Sequence, residues 1–215
     1  MNVGQYKFEL PLEWGGAKHE PNRRHSIGDI VVSDYAVDLL NQTIEKVDGC
    51  HLPLNADQIA TCGRQIQEEA LEDHKLPLCI YERVRTLALM DAMTKDFDWQ
   101  IEDVASYRIE VILDYAKRHE ELIPYDAPLV GHLDDAILVE AATNSLTNEL
   151  ENYIDYRRLR KLEAYLQGMP LSAFTYYREN WLESRAAEQA IIKNQRENGL
   201  SGYGSGLDVR KFKVY

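Results

Sequence analysis

The chain has 215 residues, of which 45% are hydrophobic and 28% are charged. This length suits one compact domain with tails, and the apolar fraction argues against an intrinsically disordered chain. The 36 acidic and 24 basic side chains give a net charge of −12, which opposes binding to nucleic acid because such binding needs a cationic surface.

The sequence carries no pattern of a membrane or secreted protein. Its longest apolar runs are about four residues, whereas a transmembrane helix needs about twenty. The first residues lack the basic and apolar regions of a secretory signal, and Cys50, Cys62 and Cys79 form no CxxC pair. We therefore expect a reducing, cytoplasmic location, with Cys62 and Cys79 as small buried groups.

Residues 1–32 predict an irregular N-terminal arm, in which the alternation from Tyr6 to Leu10 favours at most a short strand. The pattern is helical over residues 33–198, where we predict one domain. Four glycines in residues 199–215 predict a flexible tail.

The first four helices follow from caps and apolar spacing. Ser33 or Asp34 is the predicted cap of the first helix, which ends near Val47, and Asn55 is the predicted cap of the second. The third helix is predicted over about 78–95, with a buried stripe formed by Ile80, Val84, Leu87 and Ala88. The fourth is predicted over about 99–121, with Asp98 as its cap.

The second half of the chain begins with a proline-rich connection. Pro124 and Pro128 interrupt the helical pattern, and helix resumes at Asp134 or Asp135. In residues 145–167 the apolar side chains repeat every three residues, so their stripe turns around the axis by about 60° per step. This helix must bend, break or pack different turns on different neighbours. Pro170 is predicted to start the last helix, which gives an all-α, single multi-helix bundle of about seven helices.

Two motifs resemble ligand loops only in part. The acids of Asp96, Asp98 and Glu102 alternate as in a calcium loop, but Ile101 and Tyr107 stand where glycine and glutamate are required. These acids are better explained by a helix N-terminus. The glycine-rich tail lacks the preceding strand and following helix of a phosphate loop.

Histidines and carboxylates concentrate around the proline-rich connection. His119, His132, Asp134 and Asp135 form a candidate metal set, because such side chains bind divalent cations. No histidine here has a glutamate three residues before it, as bundled carboxylate metal sites do. The alternative is structural: one aspartate caps a helix while the other is solvated or paired with an arginine.

An aromatic set near the C-terminus could stack bases, pack in a core or bind a protein; its possible partner-binding residues are Phe174, Tyr177, Arg178 and Trp181. Helical spacing and net charge favour packing, with a protein partner as the second interpretation. The basic run over 157–161 is flanked by acids, which favours a solvated face of mixed charge.

Residues 122–139 contain, in order, Pro124, Pro128, Gly131, Asp134 and Asp135. This segment resembles the signature of the YkvA-like family, a bacterial helical domain of unknown function, and the likeness covers about residues 114–158. The resemblance implies an α-helical domain and no established catalytic role. Many relatives look membrane-associated, but the polar residues that follow the motif here depart from them.

These observations favour a non-enzymatic, cytoplasmic protein-binding or regulatory helical protein of the YkvA-like type. In it, the two prolines, the glycine and the two aspartates of the motif hold a rigid turn. No cofactor is expected, and the oligomeric state stays open. One alternative is an acidic inhibitor or immunity-type protein that binds a basic target. The other is a metal-dependent hydrolase that uses His119, His132, Asp134 and Asp135.

Overall fold

The computed structural model of the chain describes residues 6–14, 25–73, 77–118 and 122–200. The contacts divide the chain into two compact units, unit 1 (Met1–Asp155) and unit 2 (Tyr156–Tyr215). The described residues form six helices: α1 (Asp34–Val47), α2 (Ala56–Asp73), α3 (Leu78–Thr94), α4 (Asp103–Ala116), α5 (Leu133–Leu166) and α6 (Arg178–Leu200). None of these described helices has both the length and the apolar character needed to cross a membrane.

The all-α prediction is confirmed, with the addition of one small antiparallel hairpin, β1 (Ser26–Ile27) and β2 (Ile30–Val31). The hairpin packs on α2 at a glycine. A methyl group on Gly63 would overlap the side chain of Ile27, which is 1% exposed. This helical glycine therefore makes room for the hairpin.

The predicted caps of the first two helices are confirmed. The hydroxyl of Ser33 accepts a hydrogen bond from the backbone N–H of Ala36 at 3.2 Å. Asn55 and Gln58 exchange side chain-to-backbone bonds at 3.0 and 2.9 Å, which forms a complete capping box at the start of α2.

The fourth helix is shorter than predicted. It begins at Asp103, with Glu102 and not Asp98 at the N-cap, because Gln100 adopts a left-handed conformation with φ of 52°. Asp96 and Asp98 lie in the preceding turn and not at a helix start. Trp99 is fully buried, and its indole N–H donates to Glu149 Oε1 at 2.9 Å.

The predicted count of seven helices is wrong for the described chain, because residues 133–166 form one helix. Three hydroxyls in its middle bond to backbone carbonyls three or four residues earlier: Thr143 to Val139, Ser145 to Ala142 and Thr147 to Thr143. These polar side chains are accommodated within the helix instead of capping a new one. The helix crosses the boundary between the two units after residue 155, so its three-residue apolar repeat serves different cores.

The last helix starts later than predicted. After α5, Gly168 has φ of 66°, and the N–H groups of Gly168 and Met169 bond to the carbonyls of Tyr165 and Ala164, which is a Schellman motif. Pro170 then precedes a short 3₁₀ turn, Leu171–Ala173, and α6 begins only at Arg178.

Unit 2 contains an aromatic core. Tyr156 on α5 is fully buried, and its hydroxyl donates to the carbonyl of Tyr176 at 2.7 Å. The ring of Tyr176 lies 5.6 Å from that of Tyr156 and 5.9 Å from that of Phe174. These contacts involve residues 174–177, which lie outside any helix, and α6 begins only after them.

The predicted arm and tail are only partly covered. Residues 6–14 form no strand, and most of the glycine-rich tail, residues 201–215, lies outside the described residues, while Gly199 belongs to α6. Cys62 is fully buried, and burial raises its pKa to about 12, whereas Cys79 is only partly buried.

The bond between Trp99 and Glu149 gives a test of the core of unit 1. In Glu149→Leu the buried indole N–H loses its acceptor, so we expect the free energy of unfolding to fall by about 1–3 kcal/mol. Glu149→Gln keeps an acceptor oxygen and should lose less than about 1 kcal/mol. Urea unfolding at pH 7 measures both, and equal losses in the two variants would contradict this account.

Candidate functional site

The connection between α4 and α5 is a closely bonded turn, which we call the elbow (residues 122–132). Its backbone N–H groups at Ala127 and Gly131 bond to the carbonyls of Pro124 and Ala127, each at 2.9 Å. Leu129 and His132 adopt left-handed conformations, with φ of 68° and 64°. Two residues other than glycine therefore adopt the left-handed conformation shortly before α5 begins.

Gly131 is needed for steric reasons. A methyl group at this position would overlap the carbonyl oxygen of Tyr125 and lie 3.1 Å from that of Ala127. Four apolar side chains near the two ends of the elbow are almost fully buried: Leu122, Ile123, Val130 and, at the start of α5, Leu133. The elbow is thus anchored in the core of unit 1.

Asp134 ties the elbow to its neighbouring helices. Its side chain is almost fully buried, and Oδ2 accepts one bond from the hydroxyl of Tyr115 on α4 at 3.2 Å. The same oxygen accepts a second bond from the backbone N–H of Leu122 at 3.1 Å. One carboxylate in the first turn of α5 therefore satisfies a buried hydroxyl and a buried amide.

The environment of Asp134 changes its titration. Burial, with the charge of Asp135 as a smaller cause, raises its pKa from 3.8 to about 6, although the bonds from Leu122 and Tyr115 act in the opposite direction. The pKa of the Tyr115 hydroxyl is also raised, first by burial and then by the Asp134 charge. This tyrosine therefore stays a neutral donor at physiological pH.

The structure describes three of the four residues of the predicted metal set. Nδ1 of His132 lies 2.9 Å from Oδ2 of Asp135, and the two side chains are 45% and 12% exposed. Asp134 instead bonds to Tyr115 and Leu122, and His119 lies outside the described residues. Among the described residues, no group of three histidine, cysteine or acidic side chains is placed to hold a metal ion.

The predicted partner-binding residues divide into buried and exposed groups. Phe174 and Trp181 are 8% and 6% exposed, so they pack within unit 2. Tyr177 is 45% exposed and Arg178 is partly exposed. Of the four residues, only Tyr177 and Arg178 are therefore exposed enough to contact a partner.

Unit 2 has a different apolar surface that the sequence analysis did not single out. Leu162, Tyr165 and Leu166 follow one face of α5, and Met169 comes just after the helix. These four side chains are 41–80% exposed. Arg157, Arg158 and Lys161, one turn earlier, are also exposed. We call these seven residues the α5 face.

The net charge of −12 is unevenly distributed. Residues 1–155 contain 30 acidic and 13 basic side chains, whereas residues 156–215 contain 6 acidic and 11 basic ones. The α5 face therefore lies in a unit of net positive charge, although the whole chain is acidic. The net charge of the complete sequence does not reveal this difference between the two units.

Unit 1 contains a second feature that the sequence did not reveal, a polar cleft of about 570 Å³. We call it the Arg83 cleft. It is lined by residues of the N-terminal segment, of the loop after α1, of α3 and of α5: Tyr6, Glu9, Trp14, His51, Arg83, Glu140, Thr143 and Asn144.

Arg83 lines this cleft and is 1% exposed. Its Nε and Nη2 donate to Oε2 of Glu140 at 2.8 and 2.6 Å, and Nη1 donates to the carbonyls of Phe8 and Cys79 at 3.0 and 2.8 Å. The ring of Tyr6 covers the guanidinium, 4.1 Å from its central carbon.

Of the buried stripe predicted for α3, only Ile80 is buried, and Ala88 is exposed. The buried residues of the helix also include Arg83 and Thr86. An available signal was the spacing of Arg83 three residues after Ile80 and seven before Met90, which places it on their face. Its partners, Phe8 and Glu140, are too distant in sequence for any local pattern to predict.

Comparison with known protein families, with curated proteins and with solved structures finds no match to this chain.

Replacing Asp134 tests its structural role. Asp134→Ala leaves the Tyr115 hydroxyl and the Leu122 amide buried without this acceptor, so we expect a loss of about 2–4 kcal/mol in the free energy of unfolding. Asp134→Asn keeps a carbonyl oxygen and should lose about 1 kcal/mol or less. Asp126→Ala, at an exposed position of the elbow, is the control, and urea unfolding is the measurement. A loss in Asp134→Ala no larger than in the control would refute the role.

The raised pKa of Asp134 predicts a pH dependence of stability. Between about pH 4 and 6 the folded chain binds more protons at this group than the unfolded chain, so its contribution to stability is present at low pH and decreases as the pH rises. Relative to Asp134→Asn, the natural chain should lose up to about 3 kcal/mol between pH 4 and pH 7. Unfolding of both proteins across this range measures the difference, and a constant difference would contradict the prediction.

Proposed function

We propose that this chain is a non-enzymatic, cytoplasmic helical protein of the YkvA-like type that binds an acidic protein partner through the α5 face. The observation that carries the proposal is the row of exposed apolar side chains at one helical face, Leu162, Tyr165 and Leu166, directly after exposed basic side chains. Exposed apolar patches with polar surroundings are typical of protein interaction sites.

The residues of the α5 face suit an interface. A tyrosine and three flexible or branched apolar side chains provide area to be removed from water, and arginine is enriched at interfaces because it both stacks and donates several bonds. The positive balance of unit 2 favours a partner with acidic side chains around an apolar centre.

The elbow supports a non-catalytic interpretation. Asp134 bonds to Tyr115 and Leu122, and Gly131 meets a steric requirement, so two of the five residues that carry the family resemblance have contacts typical of a structural role. The resemblance itself brings no reaction with it. The metal-dependent hydrolase is therefore the less favoured function.

One observation favours a second candidate function. Unit 1 has 30 acidic and only 13 basic side chains, which suits the inhibitor or immunity-type protein that binds a basic target. That binding would depend on unit 1 and not on the α5 face, so the two candidates respond to different variants.

The experiment starts from affinity capture in the native cell, followed by reconstitution with the purified partner. Leu166→Glu places a charge in the apolar row, and we expect it to weaken the complex at least about tenfold, as for a central interface residue. Leu71→Glu on α2 is the matched control, because Leu71 is 65% exposed and Leu166 is 67% exposed. Calorimetric titration measures the affinities.

Charge variants test whether the partner is acidic or basic. Lys161→Glu should weaken the complex and reduce its sensitivity to salt, whereas Lys46→Glu on α1 should not. A partner that is basic and insensitive to Leu166→Glu would support the second candidate and refute the first. Binding to vesicles containing phosphatidylserine that is lost in Leu166→Glu, with no protein partner, would also refute it.

A further inference from the structure

We propose that the Arg83 cleft of unit 1 is a binding site for a small aliphatic amine, held as its ammonium form. This site is separate from the α5 face, and the proposal does not depend on the partner of that face. It rests on the volume of the cleft, the hydrogen bonds that occupy the buried guanidinium of Arg83, and the carboxylates that line the cleft.

The cleft has the size of a small-molecule site. Its volume of about 570 Å³ lies within the range of about 300–1,000 Å³ found for ligand pockets. The walls come from residues far apart in sequence, since Tyr6 and Thr143 are hydroxyl neighbours at 3.4 Å although 137 positions separate them. The shape therefore depends on the complete fold of unit 1.

Arg83 is not available to bind an anion. Four of its five N–H donors are bonded to Glu140 and to the carbonyls of Phe8 and Cys79, and its face is covered by Tyr6. The guanidinium is 1% exposed. The cation therefore serves to fix Glu140 in place at the wall of the cleft.

The cleft presents mainly hydrogen-bond acceptors to a ligand. Arg83 donates twice to Oε2 of Glu140, which leaves its second carboxylate oxygen for another donor, and Glu140 is 31% exposed. Glu9 adds a second carboxylate, and Thr143 and Asn144 add neutral acceptors. A primary ammonium, with three N–H donors and a positive charge, matches this set.

The aromatic wall suits the same ligand class. Trp14 packs against His51 with ring centroids 4.3 Å apart, and both line the cleft. An indole ring attracts a cation placed over its face and also covers the aliphatic part of an amine. The cleft thus combines carboxylates with an aromatic surface.

The test uses 1,4-diaminobutane as the probe and 1,4-butanediol as its uncharged analogue of the same length. In the full chain at physiological salt, which screens weak binding to the acidic surface, the diamine should shift the indole N–H resonance of Trp14 to saturation. The diol should not shift it. Trp14→Phe assigns the resonance, and those of Trp99 and Trp181 report whether the fold is intact.

Carboxylate variants locate the site. Glu140→Gln and Glu9→Gln should each weaken binding of the diamine by about tenfold, the value of one charge-assisted hydrogen bond. Glu68→Gln, at an exposed position of α2, is the matched control and should bind as the natural chain does. Because Glu140→Gln also removes the partner of Arg83, the exposed Glu9 keeps the test decisive if that variant fails to fold.

Three results would overturn the proposal. The first is a Trp14 resonance that does not saturate with the diamine. The second is equal binding of the diamine and the diol. The third is a Glu9→Gln variant that binds the diamine as tightly as Glu68→Gln.

Discussion

A single buried carboxylate links three successive parts of unit 1. Asp134 lies in the first turn of α5, while its two hydrogen-bond donors come from Tyr115 in α4 and Leu122 at the start of the elbow. Because each donor is buried, the loss of this acceptor leaves two unsatisfied groups at once. The path of the chain from α4 to α5 therefore depends on one oxygen atom, and the glycine and prolines of the elbow adapt the backbone to that constraint.

The helix that follows is unusual in serving two cores. Residues 133–155 of α5 contribute to unit 1, and residues 156–166 contribute to unit 2. An apolar repeat of three residues would be unfavourable on one flat interface, since the stripe turns steadily around the axis. In this helix, successive residues of the repeat pack in different units. Leu150 and Tyr153 are buried in unit 1, and Tyr156 and Leu159 are buried in unit 2. Tyr165, further along the repeat, is exposed.

Local signals predicted much of the fold. The caps at Ser33 and Asn55 and the start of α5 follow from residue chemistry within one helical turn, and all three appear where expected. The predictions are wrong where a contact between residues far apart in sequence accompanies a different local structure. Trp99 lies outside the fourth helix, where its indole N–H donates to Glu149, 50 positions later, and α6 starts only after Tyr176, whose carbonyl accepts from the hydroxyl of Tyr156.

The candidate sites show the same limit. The elbow was predicted because proline, glycine and aspartate have strong local preferences. The sequence alone does not predict the α5 face, because exposure depends on which side of a helix the rest of the unit covers, and the basic run lies among acidic neighbours. Two local features of the sequence do point to it, the charge balance of residues 156–215 and the spacing of Leu162, Tyr165 and Leu166.

The buried Arg83 also bears on the order in which unit 1 assembles. Its bonds reach 75 positions back to Phe8 and 57 positions forward to Glu140, so both ends of a long stretch of polypeptide must arrive before the guanidinium can leave water. Contacts with such separation form slowly, since loop closure costs entropy before any bond is gained. The hydrogen bonds of Arg83 are therefore complete only when the N-terminal segment and α5 are both in place.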